Sequence, residues 1–197
     1  ESGENYWNGV TEDALDGIPV HRIHLNWSKA ADPNRVLYDS RPVEEWLDRF
    51  LRMRRPDVLH ATSLMTLGAG VVRASSRANI PCVLTLMDFW FLCPSVQLLK
   101  PDKSLCDGNT SGWTCQACLC SGSRLFRATN LAIPAPLRPG FWDKVARTPA
   151  VSGRRGLRGM LLDVNDRKRT LEEVLGMSAR VIAHSRFLQG KIGRAHV

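Results

Sequence analysis

Two short apolar runs, "DVLHAT" (Asp57–Thr62) and "CVLTLM" (Cys82–Met87), enclose a stretch with helical spacing, and this succession constrains the fold more than any other feature. Leu67, Val71, Val72 and Ala74 share one side of a helix predicted over Leu64–Arg77, which "ANIP" closes. A strand, a helix and a second strand of these lengths require parallel pairing through a right-handed crossover. Runs this short and apolar read as strands covered on both faces. Upstream, "IPVHRIHL" (Ile18–Leu25) alternates enough to be the first strand, with Val20, Ile23 and Leu25 as its apolar members. Val43, Trp46, Leu47, Phe50 and Leu51 then form the stripe of an amphipathic helix that Arg55 and Pro56 end. Downstream, Leu157, Leu161, Val164, Leu171 and Leu175 mark a long helix whose exposed face carries "DRKR", with Gly176 at the expected cap. "RVIAHS" (Arg180–Ser185) reads as a fourth parallel strand. The expected class is α/β: a Rossmann-like parallel sheet flanked by helices, built from residues 18–88 and 157–186.

A chain of 197 residues buries a real core, roughly 70% of its unfolded surface, without help from disulfides. It contains no apolar run of eighteen residues, and its first residues, "ESGENYWNGV", do not read as a signal peptide. These features lead us to expect a cytoplasmic setting, where thiols stay reduced. The net charge of +8 points to an anionic partner, without choosing among nucleic acid, acidic lipid head groups and phosphorylated small molecules.

Between residues 89 and 156 the periodicity lapses into Pro, Gly, Ser and Cys, as in an irregular excursion with a stabiliser of its own. Five of the six cysteines fall here. Cys93, Cys106, Cys115 and Cys118 include one Cys-x-x-Cys pair, the spacing that lets two thiolates reach one ion from a tight turn. A structural zinc ion on these four is the leading expectation. The alternatives are unligated thiols, disulfides and, least favoured, an iron–sulfur cluster. Cys82, inside a strand, reads as a small buried hydrophobe.

In open parallel sheets ligands bind beyond the carboxyl ends of the strands. That rule selects His60, Thr62 and Ser63 after one strand, Met87 and Asp88 after the next, and His184, Ser185 and Arg186 after the last. Each has a plain alternative. His60 is equally a satisfied strand-end histidine, Asp88 a cap on the following turn, and Arg186 a solvated charge.

"RPDVLHATSLMTLGAGVVRASSRANIPCVLTLMDFWFLCP" resembles the amino-terminal domain of glycosyltransferase family 4 enzymes, and "VIAHSRFLQ" is similar to that family's later strand and its Ser-Arg/Lys-Phe element. The resemblance spans roughly residues 18–190. It implies half of a GT-B fold, a Rossmann-like acceptor-side domain over residues 1–190, with residues 191–197 a non-native tail. By resemblance the parent enzyme moves a sugar, with retention, from a nucleotide-sugar donor to a glycan or lipid-linked acceptor. His60 and Asp88 are then the catalytic pair, and Thr62, Ser63, Met87, Ser185 and Arg186 bind substrate. Three departures stand out. Met87 occupies the place of the family's usual His, and a thioether can neither donate a strong hydrogen bond nor exchange a proton. The family's first strand with its Gly-rich loop would precede Glu1. The carboxyl-terminal Rossmann domain that holds the donor is missing, so the chain is expected to be a fragment. The basic surface suits a peripheral enzyme on the inner face of an anionic membrane, although "DRKR" is equally a solvated helix face. The competing class is a non-enzymatic zinc-loop module with Trp90 and Trp113 as stacking platforms for nucleic acid or as contacts for a protein partner. No recognised nucleic-acid motif accompanies them, so nucleic acid is the disfavoured partner.

Overall fold

The computed structural model describes residues 5–108, 112–152, 154 and 163–192. Its chain opens with an antiparallel hairpin, β1 (Trp7–Leu15) and β2 (Ile18–Leu25). The two-residue turn between them is Asp16-Gly17. Both residues have positive φ, 50° and 80°, the primed-turn geometry whose twist matches that of the flanking strands. This corrects the expectation that residues 18–25 begin the parallel sheet. A strand that can pair locally across two residues needs no long loop closure, and β2 pairs with β1 instead.

After the short helix α1 (Pro33–Val36) comes α2 (Arg41–Arg54), which carries the expected stripe, with Val43, Leu47 and Leu51 buried. Strand β3 (Leu59–Ala61), helix α3 (Gly70–Arg77) and strand β4 (Cys82–Leu86) follow. The expected helix over Leu64–Arg77 begins only at Gly70. Thr66 and Gly68 have φ of 81° and 76°, and the backbone N–H groups of Thr66 and Ala69 donate to the carbonyls of Leu37 and Tyr38. That earlier stretch is thus stitched to the entry of α2 rather than wound into a turn of helix.

The central sheet has the order β3-β4-β5 and is parallel throughout, with β5 at Arg180–Ala183. The chain is therefore a mixed α/β protein with a parallel sheet flanked by helices. The core is continuous through Cys82, Leu84 and Leu86 of β4, the inner sides of α2 and α3, and Leu171 and Val174 of helix α8 (Asp163–Met177). Its apolar runs suggested a sheet covered on both faces, but among the described residues one face is left partly open. Register places His60 beside Val83, and Thr85 beside Ile182; His60 is exposed and Ile182 is 47% exposed.

Within the excursion read as irregular, residues 89–108 carry no helix or named strand, whereas residues 112–152 are largely helical, which corrects that part of the reading. Helices α4 (Gly112–Cys120), α5 (Arg124–Ala132), α6 (Arg138–Arg147) and α7 (Pro149–Ser152) gather a small core of Cys120, Phe126, Trp142 and Ala146, with Trp113 and Val145 against it. Trp142 Nε1–H donates to Asn130 Oδ1 at 2.8 Å, satisfying the buried indole. These helices are too short to show a clear period, and a few large aromatic side chains do the packing. Leu157 and Leu161, assigned to the long helix, lie outside the described residues. So do residues 193–197 of the segment read as a tail, whereas Lys191 and Ile192 belong to helix α9 (Arg186–Ile192) and Ile192 is buried. Gly176 lies within α8 rather than after it.

Salt bridges bind α3 to α2. Arg73 Nε donates to Glu44 Oε2 (3.0 Å), Arg77 Nη1 to Glu44 Oε1 (2.7 Å) and Arg77 Nε to Asp48 Oδ1 (3.0 Å); Asp39 also pairs with Arg73. Burial pulls the Glu44 pKa upward, but the bonds from Arg73 and Arg77 outweigh it and hold the carboxyl below its ordinary value. A carboxylate depressed in the folded state contributes stability above its unfolded pKa of about 4.3 and loses it as pH falls through the folded value. Asp48, depressed by Arg52 and Arg77, acts in the same direction. Glu44→Gln is therefore expected to lower the urea midpoint at pH 7. The gap from wild type should close as the solution is acidified below about pH 4. A gap that persists undiminished into acid would assign the loss to packing instead.

Candidate functional site

The carboxyl ends of three adjacent parallel strands form one edge, and the residues chosen from sequence lie along it. His60, on β3, places Nε2 2.8 Å from Oγ1 of Thr85 on β4, and both lie on the open face of the sheet. His184, just past β5, places Nδ1 3.0 Å from the carbonyl oxygen of Leu86, so the ends of β4 and β5 are tied together. Thr62, Ser63, Met87 and Arg186 are exposed at the same end.

Three of the expected groups also hold local structure. The Trp90 backbone N–H donates to Asp88 Oδ1 (2.8 Å), so the carboxylate fixes the turn that leaves β4. Asp88 Oδ2 has no hydrogen-bond partner among the described residues. Ser185 Oγ accepts from Leu188 N–H (3.1 Å) and caps α9, and Ser63 Oγ accepts from Met65 N–H (3.3 Å). Phe89 and Phe187 meet edge to face with centroids 5.8 Å apart, bracing the β4 and β5 exits.

The sequence reading missed Arg167. It places Arg167 on the exposed "DRKR" face, yet Arg167 is buried. Its guanidinium donates to the carbonyl oxygen of Trp90 and lies over the Trp90 ring, 4.9 Å from the centroid. Among the described residues it has no carboxylate partner. Burial draws its pKa down to about 10, against the opposing pull of Cys93, Cys115, Tyr38 and Asp88. Its place was legible as spacing: Val164, Arg167, Leu171 and Val174 recur every three or four residues on the stripe that faces the core. The rest of the run is less basic than its composition suggests, since Arg169 pairs with Asp166 (3.2 Å) and Lys168 with Glu172 (3.8 Å). Trp90 itself is buried and Trp113 packs on Phe126, so neither is presented as a stacking platform for a base.

Cys93, Cys106, Cys115 and Cys118 all line one small cavity of about 40 Å³ beside this edge. The Cys118 thiol is pushed up by burial, and further by the neighbouring sulfurs of Cys93, Cys115 and Cys106. No disulfide joins any of the six cysteines. Among the described residues no three His, Cys, Asp or Glu side chains stand in a ready metal-binding arrangement. The other two cysteines are packing residues. Burial alone raises the Cys82 thiol to about 11, and Cys120 belongs to the core of the helical excursion.

Residues 5–106, just over half the chain, match the glycosyl transferase 4-like domain. The chain belongs to that family. No curated protein and no solved structure matches it. The matched segment of this glycosyltransferase domain contains β1 to β4, the His60 and Asp88 positions, Cys93 and Cys106. The fifth strand, Arg167 and the Cys115–Cys118 pair lie beyond it. No helix among the described residues is long and apolar enough to cross a membrane.

Proposed function

We propose that this domain forms the acceptor side of a glycosyltransferase that moves a sugar from a nucleotide-sugar donor to a hydroxyl of a glycan or lipid-linked acceptor. The observation that carries the reading is the parallel order β3-β4-β5, whose adjacent strands end in His60, Asp88 and Arg186 along one exposed edge. With one oxygen fixed by Trp90 N–H, Asp88 offers the other to an acceptor hydroxyl. His60, exposed on β3 with Nε2 2.8 Å from Thr85 Oγ1, would orient that hydroxyl. In transfer, the bond between the anomeric carbon and the phosphate oxygen breaks and the nucleotide leaves with the electron pair. The acceptor oxygen bonds to the anomeric carbon and gives up its proton, for which Asp88 and His60 are the nearby bases. Met87, 53% exposed, contributes contact but no proton. A second Rossmann domain facing this edge would hold the donor, and Arg186 would meet an anionic group of substrate. The net charge of +8 supports an anionic acceptor or an anionic membrane surface.

Transfer of radiolabelled sugar by the full reading frame tests this directly. Asp88→Asn keeps an oxygen for Trp90 N–H while removing the charge. It is expected to lower kcat/KM by about 10²–10⁴-fold with an unchanged melting temperature. His60→Ala, at an exposed site, is expected to raise KM for the acceptor. The domain on its own should stay at background, because holding both substrates in near-attack geometry supplies about 7–11 kcal/mol of barrier lowering. Wild-type rates in both variants would overturn the assignment.

A further inference from the structure

We propose that Cys93, Cys106, Cys115 and Cys118 hold one Zn²⁺ as a tetrathiolate site and that the buried guanidinium of Arg167 is its counter-charge. The proposal goes beyond the glycosyltransferase reading and does not depend on it. Three separate stretches of chain deliver the sulfurs to one cavity: the turn after β4, the strand-like bridge Leu99–Leu105 and its continuation, and α4. Cys115 and Cys118 lie three residues apart on one side of a helix, so both reach inward together. The cavity holds about 40 Å³ and is otherwise lined mainly by apolar groups such as Leu98 and Leu119, room for an ion but not for an organic cofactor. Cys82 and Cys120, the remaining cysteines, are excluded from it.

Charge decides between a metal and four idle thiols. A buried guanidinium without a carboxylate is costly. Among the described residues Arg167 bonds the Trp90 carbonyl and lies over its ring, and the helix that carries it packs against α4, which carries Cys115 and Cys118. Four thiolates on one divalent ion leave a net charge of −2, which would offset the buried guanidinium. Ligation releases the four thiol protons to solvent and changes no oxidation state. The four cysteines share the cavity but no three of them stand ready for a metal, so ligation at Zn–S distances of about 2.3 Å requires their sulfurs to draw together. With four protein ligands the ion has no open position, and its role is to hold the exit of β4 in place.

The test starts with elemental analysis of protein purified without chelator. About one zinc per chain is expected. Cys115→Ser with Cys118→Ser should lose it while the far-ultraviolet circular dichroism of the sheet persists. Cys120→Ala should keep it. On unmodified protein, four thiols should become reactive only after chelation, a readout that no folding failure of a variant can mimic. Cobalt reconstitution should give the absorption of a tetrahedral thiolate site. Arg167→Met is expected to weaken zinc about 10–100-fold in chelator competition, and Arg167→Lys to restore part of that. Metal-free protein with reduced thiols, iron with acid-labile sulfide, or disulfides would each overturn the zinc site. Zinc held equally tightly by Arg167→Met would overturn the role given to the arginine.

Discussion

Trp90→Ala is expected to destabilise the domain by about 3–5 kcal/mol, the range for removing a fully buried tryptophan. In a chain of this size that corresponds to a melting temperature lower by roughly 6–20 °C. Trp90 is 2% exposed and belongs to the main core. It also makes two contacts that an area argument does not count. Its ring faces Phe91 edge to face at 5.2 Å and lies under the Arg167 guanidinium, so truncation removes the aromatic pair and leaves a buried charge with one partner fewer. Trp90→Phe keeps an aromatic face below Arg167 and should recover more than half of the loss. Urea unfolding followed by circular dichroism decides the matter. A cost below about 1 kcal/mol for Trp90→Ala, against the expected range, would show that the core closes over the gap and that Arg167 has another partner.

Gly70→Val is expected to cost about 1–3 kcal/mol or more, through overpacking where two helices touch. A Cβ at Gly70 would stand 2.6 Å from the Cβ of Glu44 and 3.1 Å from its Cα, so α3 cannot keep its distance from α2. Separating the helices also pulls Glu44 from Arg73 and Arg77, the pairs that cross the same seam. Gly70→Ala tests the mechanism more sharply, because alanine improves helix propensity by about 1 kcal/mol and yet should still destabilise. Gly176→Ala is the control: it lies in a helix with nothing within 4 Å of the added Cβ and should be neutral or mildly stabilising. Equal effects at the two positions would remove the close approach from the account.

The parallel sheet was legible because a strand's length and apolar run are local facts. Leu59–Ala61, Cys82–Leu86 and Arg180–Ala183 all lie within the segments read from sequence. Pairing is not a local fact. Alternation in Ile18–Leu25 identifies a strand without naming its partner, and the deciding signal was the Asp16-Gly17 turn just before it. The helices of residues 112–152 were missed because no apolar period runs through them, although Ser123, whose hydroxyl accepts from Phe126 N–H at 3.3 Å, is a helix-start residue ahead of "RLFRATNLA". Arg167 was misread because its charge was given more weight than its position on the stripe. For the edge residues, the strand-end rule supplies location and nothing more. That Asp88 and Ser185 spend an oxygen each on nearby backbone depends on turn geometry that a strand-end rule does not contain.

The contact between Trp90 and Arg167 joins residues 77 positions apart, one at the point where the chain leaves the sheet and the other where it returns. Among the described residues, the cysteine turn and helices α4 to α7 lie between them, in a ring clasped by this contact. The entropy of closing such a ring grows only with the logarithm of its length, about 0.6 kcal/mol per doubling. The contents of the ring can therefore lengthen, shorten or be exchanged with little consequence for the parallel sheet, as long as the clasp survives.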